Sequence, residues 1–154
     1  MNDATMLRLT RLWHEHFPIT GTMGTQATQH TGAPDWSLTT LTPLAPNTNI
    51  HGSAFAGTLY AVEALTAWGL VYLALEEAGI AASIIHAEGQ IKFAQPVRSD
   101  IEVRCTYAGF GDDFARLRRD GRCKIELTSQ ALVAGEVVSE FNGLYPLRLE
   151  RTTR

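Results

Sequence analysis

The chain reads as an α+β domain in which an antiparallel sheet curls around one long central helix. Three observations predict this. From Ser53 to about Ala78 the residues are apolar on every side of a helical projection, and a helix without a polar stripe is buried all round. After Gly79 the pattern changes to period two, as in strands with one buried face. The other helical stretches are short, so only strands remain to wrap the long helix.

Length and composition set the frame. At 154 residues the chain forms one domain, 1–154, large enough for a real core. Apolar content of 45% and charged content of 19% are ordinary for a globular protein. A net charge of −3 gives no general attraction to nucleic acid or an anionic membrane. The N-terminal stretch MNDATMLRLTRLWHEHF lacks a continuous apolar run and a small-residue cleavage site, so a cytoplasmic protein is expected. Cys105 and Cys123 have no metal-binding spacing and read as small buried hydrophobes in a reducing compartment.

Taken in order, Asp3 to Phe17 spaces Met6, Leu9, Trp13 and Phe17 as a short amphipathic helix. Pro18 is expected to stop it, and His14 and His16 to lie in solvent. Thr22 to Gln29 is a Thr-rich strand, Thr31 to Asp35 a turn, and Asp35 to Leu44 a second strand closed by Pro43 and Pro46. Asn47 to Gly52 loops into the long helix, about 25 residues and roughly 38 Å. Ser53 is the expected N-cap and Gly79 the left-handed C′ residue.

Glu63 is the one charged residue between Ser53 and Leu75. A carboxylate buried alone is costly, so a shifted pKa or a paired charge is expected. The helix is nearly long enough to span a bilayer. A mid-span Glu opposes insertion by roughly 2.5–3.5 kcal/mol, and the strands that follow read as soluble, so no membrane partner is expected.

In Ser83 to Gln95, Ile85, Ala87, Ile91 and Phe93 alternate with His86, Glu88, Gln90 and Lys92. Ile101 to Tyr107 alternates in the same way. Gly109 to Gly111 breaks the chain before a short helix, Asp112 to Arg119. Cys123 to Val133 and Val137 to Leu147 form two strands joined by a tight turn at Ala134-Gly135. Five to six strands must then curl around the helix. Their long edges call for covering or pairing, which a second copy of the chain would supply.

These residues resemble a hot-dog fold protein of the acyl-CoA thioesterase superfamily, and most nearly the thioesterase domain of YiiD-type proteins. The likeness is carried by Pro43-Leu44-Ala45-Pro46-Asn47-Thr48-Asn49, Gly52, Phe55-Ala56-Gly57-Thr58-Leu59-Tyr60 and Trp68-Gly69-Leu70, with Phe93, Pro96-Val97 and Asp100 beyond, and covers about residues 18–148. Thioesterases of the phenylacetyl-CoA type carry an Asn, a Gly three residues on, a His-Gly-Gly, and an acid about nine residues after the His. Asn49, Gly52 and Gly57 match this spacing. Phe55 replaces the His, Ala56 replaces the first Gly, and the acid position falls on Ala64, one residue after Glu63. On a helix one residue is a rotation of about 100°.

The resemblance implies hydrolysis of an acyl thioester, of coenzyme A or acyl carrier protein, by a homodimer or a tetramer without cofactor or metal. That chemistry needs a polarised carbonyl and an activated water. First-turn amides around Phe55, Ala56 and Gly57 are unpaired donors at the positive end of the helix dipole. Gly57 allows close approach of a ligand or of a neighbouring strand. Asn49 orients water or carbonyl, or simply holds its loop. Glu63 acts as a general base, or pairs with an Arg or hydroxyl. His51 is an acid–base candidate or a loop residue. Gly52, Thr58 and Tyr60 complete the candidate substrate-binding set, with Phe55, Leu59 and Tyr60 offering apolar surface. Arg116, Arg118, Arg119 and Arg122 receive coenzyme A phosphates, or form a solvated face. Two other readings remain: a hot-dog dehydratase or hydratase pairing His51 with Glu63, and a non-catalytic acyl-thioester-binding module.

Overall fold

The computed structural model describes residues 2–151. It opens with α1 (Asn2–His16), which buries Met6, Leu9 and Trp13. Pro18 does more than stop this helix. It begins a second one, α2 (Pro18–Met23), at a first-turn position where its missing N–H is no loss. The first strand is displaced as a result: β1 is Gln26–Thr31 instead of starting at Thr22. His14 is also not a solvent residue, because its half-buried Nε2 donates to the Thr25 carbonyl at 2.9 Å. Next comes β2 (Trp36–Thr42).

The central helix, α3 (Ala56–Glu77), starts later than the sequence suggests. Ser53 does not cap it. The preceding backbone is held extended, with Ala54 N donating to Val97 O at 2.7 Å and Phe55 N to Asn47 O at 2.8 Å. Helical dihedrals cannot begin until those bonds are left behind. At the other end Gly79 behaves as expected: it adopts φ +64°, while Gly79 N donates to Glu76 O and Ile80 N to Leu75 O at 3.1 and 2.9 Å. This pair of bonds is a Schellman closure.

After α3 come β3 (Ala82–Ile84), β4 (Glu88–Phe93), β5 (Ile101–Tyr107), α4 (Phe110–Asp120), β6 (Arg122–Val133) and β7 (Glu136–Leu149). The sheet is antiparallel in the order β1-β2-β5-β6-β7, with β3 and β4 both on the far side of β7. The turn at Ala134-Gly135 has φ +51° and +80°, the signs a tight two-residue hairpin needs.

The ribbon expected over Ser83 to Gln95 is broken. Ile84 pairs with Leu147 and Glu88 with Leu144, so one more residue lies on the edge ribbon than on β7 between those pairs. An unequal count of this kind is a bulge, and it reverses which side chains face inward. His86 therefore packs on Phe141 and Tyr145, with ring centroids 5.6 and 5.0 Å away, and Ile85 is turned out to 50% exposure.

The sheet curls so that β2, β5, β6, β7 and β3 all touch α3. This is the hot-dog arrangement. Gly69 lets α1 approach on the same side as β2: a Cβ there would lie 2.5 Å from the Trp13 ring and 2.9 Å from Leu38. Burial of α3 is nevertheless not complete. Tyr60, Ala61, Ala64, Trp68 and Tyr72 recur at three- and four-residue spacing as a half-buried stripe.

Candidate active site

The N-terminus of α3 carries the candidate site. Phe55 occupies the cap position and its side chain makes no capping hydrogen bond. The first amides of a helix have no intrahelical partner, so they face outward as donors. Beside them lies a cleft of about 280 Å³. Asn49, Ser53, Ala56 and Leu59 line one side and residues 93–97 the other. The Phe55 ring, 55% exposed, lies over Gly57 where a Cβ would otherwise be. The space at Gly57 is thus filled by an exposed side chain of its own segment.

Asn49 stands on the cleft wall with its polar atoms engaged. Nδ2 donates to Ser53 Oγ at 3.0 Å and to Ala54 O at 3.4 Å. Oδ1 accepts from the amides of His51 and Ser53 at 2.8 and 3.2 Å. Gly52, at φ +71°, closes the same turn. His51 is exposed, and its carbonyl accepts from Arg98 at 3.0 Å. Asn47, given no role of its own in the sequence beyond the family likeness and the start of the loop, proves structural. It is buried, donates to Met23 O and Pro43 O at 2.9 and 2.7 Å, and accepts from Thr58 Oγ1 at 3.4 Å. The signal was Asn47 itself, set between Pro46 and the loop.

Glu63 is fully buried one helical turn beyond Leu59, on the same side of α3. Ser139 Oγ donates to Oε2 at 2.7 Å, and Oε1 has no hydrogen-bond partner among the described residues. Ser129 Oγ donates to the Glu63 main-chain oxygen at 2.7 Å, clasping the helix to β6. Desolvation pushes the carboxyl from its ordinary 4.5 up to about 7, against the opposing pull of the Ser139 hydroxyl and the Ala131 amide. The structure does not bring Glu63 to Asn49 or His51. Ala64 faces the open stripe, and the one-residue offset turns Glu63 into the protomer's own core.

A different pair is brought together on the open side. Tyr60 Oη bonds His86 Nε2 at 3.1 Å, and the Tyr60 ring meets Phe141 edge-on at 5.1 Å. Burial lowers the His86 pKa below its ordinary 6.5. His86 was placed on the polar face by alternation. The bulge that redirects it follows from pairing with β7, which no local pattern reveals.

The family model described as "Putative thioesterase (yiiD_Cterm)", YiiD_C, matches residues 6–148. The chain belongs to this family. Its fold is shared with the "putative thioesterase from Shewanella oneidensis", 30% identical, with 96% of this chain and 99% of that one covered at TM-score 0.84. A Chlorobaculum tepidum protein of unknown function is 27% identical over 97% of each chain, at TM-score 0.85. A Pseudomonas aeruginosa protein, also of unknown function and described as "Probable Thioesterase", shares the fold at 24% identity and TM-score 0.80, over 92% and 94% of the two chains.

In this YiiD_C domain the arginine cluster sits at the opposite end of α3 from the cleft. Arg116 pairs with Asp113 at 2.9 Å, Arg118 donates to Ala78 O at 3.2 Å, and Arg119 pairs with Asp120 at 3.0 Å. Arg122 lies directly across from Arg148. A helix of 22 residues separates this end from the cleft by about 33 Å. Within one protomer these side chains therefore do not reach the cleft. Among the described residues no group of His, Cys, Asp and Glu is arranged to hold a metal ion.

Proposed function

We propose that the protein hydrolyses an acyl thioester of coenzyme A or acyl carrier protein, bound beside the first turn of α3. The observation that carries this reading is the cleft against an uncapped helix N-terminus, in a chain of a thioesterase family. The thioester oxygen accepts from the first-turn amides around Ala56 and Gly57, where donors and dipole favour the oxyanion. The acyl chain takes the apolar surface of Leu59, Phe93 and Phe55. Asn49 shapes the wall, and Glu63, neutral over part of the physiological range, supports the floor.

The assembly we propose is a cytoplasmic homodimer, with no nucleic acid or membrane partner. β4 supports it: among the described residues the strand pairs only with β7, and apart from Ile91, which is half-buried, its side chains are exposed. An uncovered edge of this kind invites a second copy. A non-catalytic acyl-thioester-binding module is the second reading, favoured by the burial of Glu63 and the saturation of Asn49. The dehydratase pairing draws no support from His51 and Glu63, which lie apart.

A thiol-release assay over a panel of acyl-CoA thioesters, acetyl to palmitoyl, separates these readings. The expected result is turnover by the wild type, with a raised KM in Asn49→Ala because its loop loosens. Binding of the panel without thiol release sinks the hydrolase reading in favour of the binding module.

A further inference from the structure

We propose that Tyr60 and His86 are the proton-handling pair of this hydrolase, Tyr60 Oη meeting the reacting water and His86 Nε2 holding its proton. The inference rests on the thioesterase reading above and assigns the residues that reading leaves without a base. Glu63 is sealed in the core, and Asn49 is committed to its loop. The Tyr60–His86 pair keeps an accessible polar atom.

Several features converge on the pair. The 85–87 bulge turns the exposed His86 onto the Phe141 and Tyr145 rings, out of the alternation its neighbours follow, and bulges re-aim side chains beside active sites. Gly89 has no Cβ at the point where one would collide with Tyr60 Oη and the Phe141 ring. The strand is therefore clear of the hydroxyl. The two atoms lie 3.1 Å apart, and in the tautomer that carries its proton on Nδ1 the hydroxyl donates to Nε2. Phe141 and Tyr145 flank the imidazole at 5.6 and 5.0 Å. Partial burial against them lowers the imidazole pKa below its ordinary 6.5, which favours the neutral ring.

Position matches chemistry. Tyr60 follows Ala56 and Gly57 by four and three residues, so it shares their side of the helix. Phe93, at the cleft, and Gly89, at Tyr60, are four residues apart on β4, about 13 Å along the strand. The cleft and the pair therefore lie on one seam between α3 and β4.

Water attacks the thioester carbonyl carbon, and its proton passes to Tyr60 Oη as the Tyr60 proton passes to His86 Nε2. The first-turn amides hold the oxyanion. When the C–S bond breaks, His86 returns its proton through Tyr60 to the thiolate sulfur. The products are a carboxylic acid and a free thiol, with no other reactant.

Tyr60 is the catalytic residue and His86 its positioning partner. The test is thiol release from the acetyl-to-palmitoyl-CoA panel by the wild type, Tyr60→Phe, His86→Gln and the double variant, with circular dichroism melts alongside. Each single variant is expected to lose about 100-fold or more in kcat while KM stays within about 3-fold, and the double to be no worse than the poorer single. Tyr60→Phe removes one hydroxyl and leaves the ring on Phe141, so a loss of kcat with an unchanged melt belongs to the chemistry. An active wild type with either single within about 3-fold in kcat, or a loss carried by KM, overturns the pair alone. A wild type releasing no thiol from any substrate overturns the hydrolase reading and the pair with it.

Discussion

At its C-terminal end α3 closes with Gly79 in the left-handed region, the two backbone bonds of the Schellman closure, and Arg118 on the Ala78 carbonyl. At its N-terminal end the same helix starts without a side-chain cap, beside a cleft, under a half-exposed phenylalanine. Between the two, Leu70, Val71 and Ala74 are fully buried, whereas Gly57 and Tyr60 are open to solvent or half-covered. The satisfied end anchors the helix in the sheet. The unsatisfied end keeps donors and surface for a ligand, so stability and chemistry are divided along one element.

Four changes sharpen or break that division. Leu70→Ala, in the anchored half, is expected to cost about 2–5 kcal/mol, because a fully enclosed side chain leaves a cavity. Urea denaturation measures it, and a loss under about 1 kcal/mol would contradict an anchoring role.

Glu63 stands at the boundary. Its folded value of about 7 exceeds the ordinary 4.5, so the folded chain binds more protons between those values. Stability from this group is then full below about pH 4.5 and lost as pH rises through about 7, by about 3 kcal/mol. Glu63→Gln removes the dependence. The variant should gain on the wild type from about pH 4.5 to about pH 7 and level off above that in denaturation experiments, and parallel curves from about pH 5 to about pH 8 would show that Glu63 is ionised throughout.

Gly79→Ala should cost about 1–2 kcal/mol, because a Cβ strains the φ of +64°. A melt reads this directly. The smallest stability effect belongs to the open end: Phe55→Ala should stay within about 0.5 kcal/mol, as expected for a mostly exposed side chain. Its consequence should appear in KM for long-chain acyl-CoA. Equal KM for acetyl and palmitoyl thioesters before and after the change would remove Phe55 from the acyl surface.

The candidate site was only partly legible in the sequence. Asn49, Gly52 and Gly57 are found where their spacing suggested, around the first turn of α3. Glu63 stood out because a lone charge in an apolar helix is visible to inspection, yet whether it faced a ligand or the core depended on a rotation of about 100°. His86 escaped because alternation assigned it to the polar face, and alternation fails at a bulge. Ser53 escaped as a cap in reverse: its residue type is right, but Ala54 and Phe55 are held extended by Val97 and Asn47.

By itself the sequence determined the largely buried central helix, its Gly79 stop, the strands from Ile101 onward, the two-residue hairpin at Ala134-Gly135 and an antiparallel sheet curled around the helix. These follow from local periodicity and from the dihedral freedom of single residues. Only the tertiary structure decided where α3 begins, which stripe of it stays open, that His86 turns toward Tyr60, and that the arginines lie a helix length from the cleft. Each depends on which residues of distant segments pair and in what register, and a one-residue difference there redirects side chains without altering the local pattern.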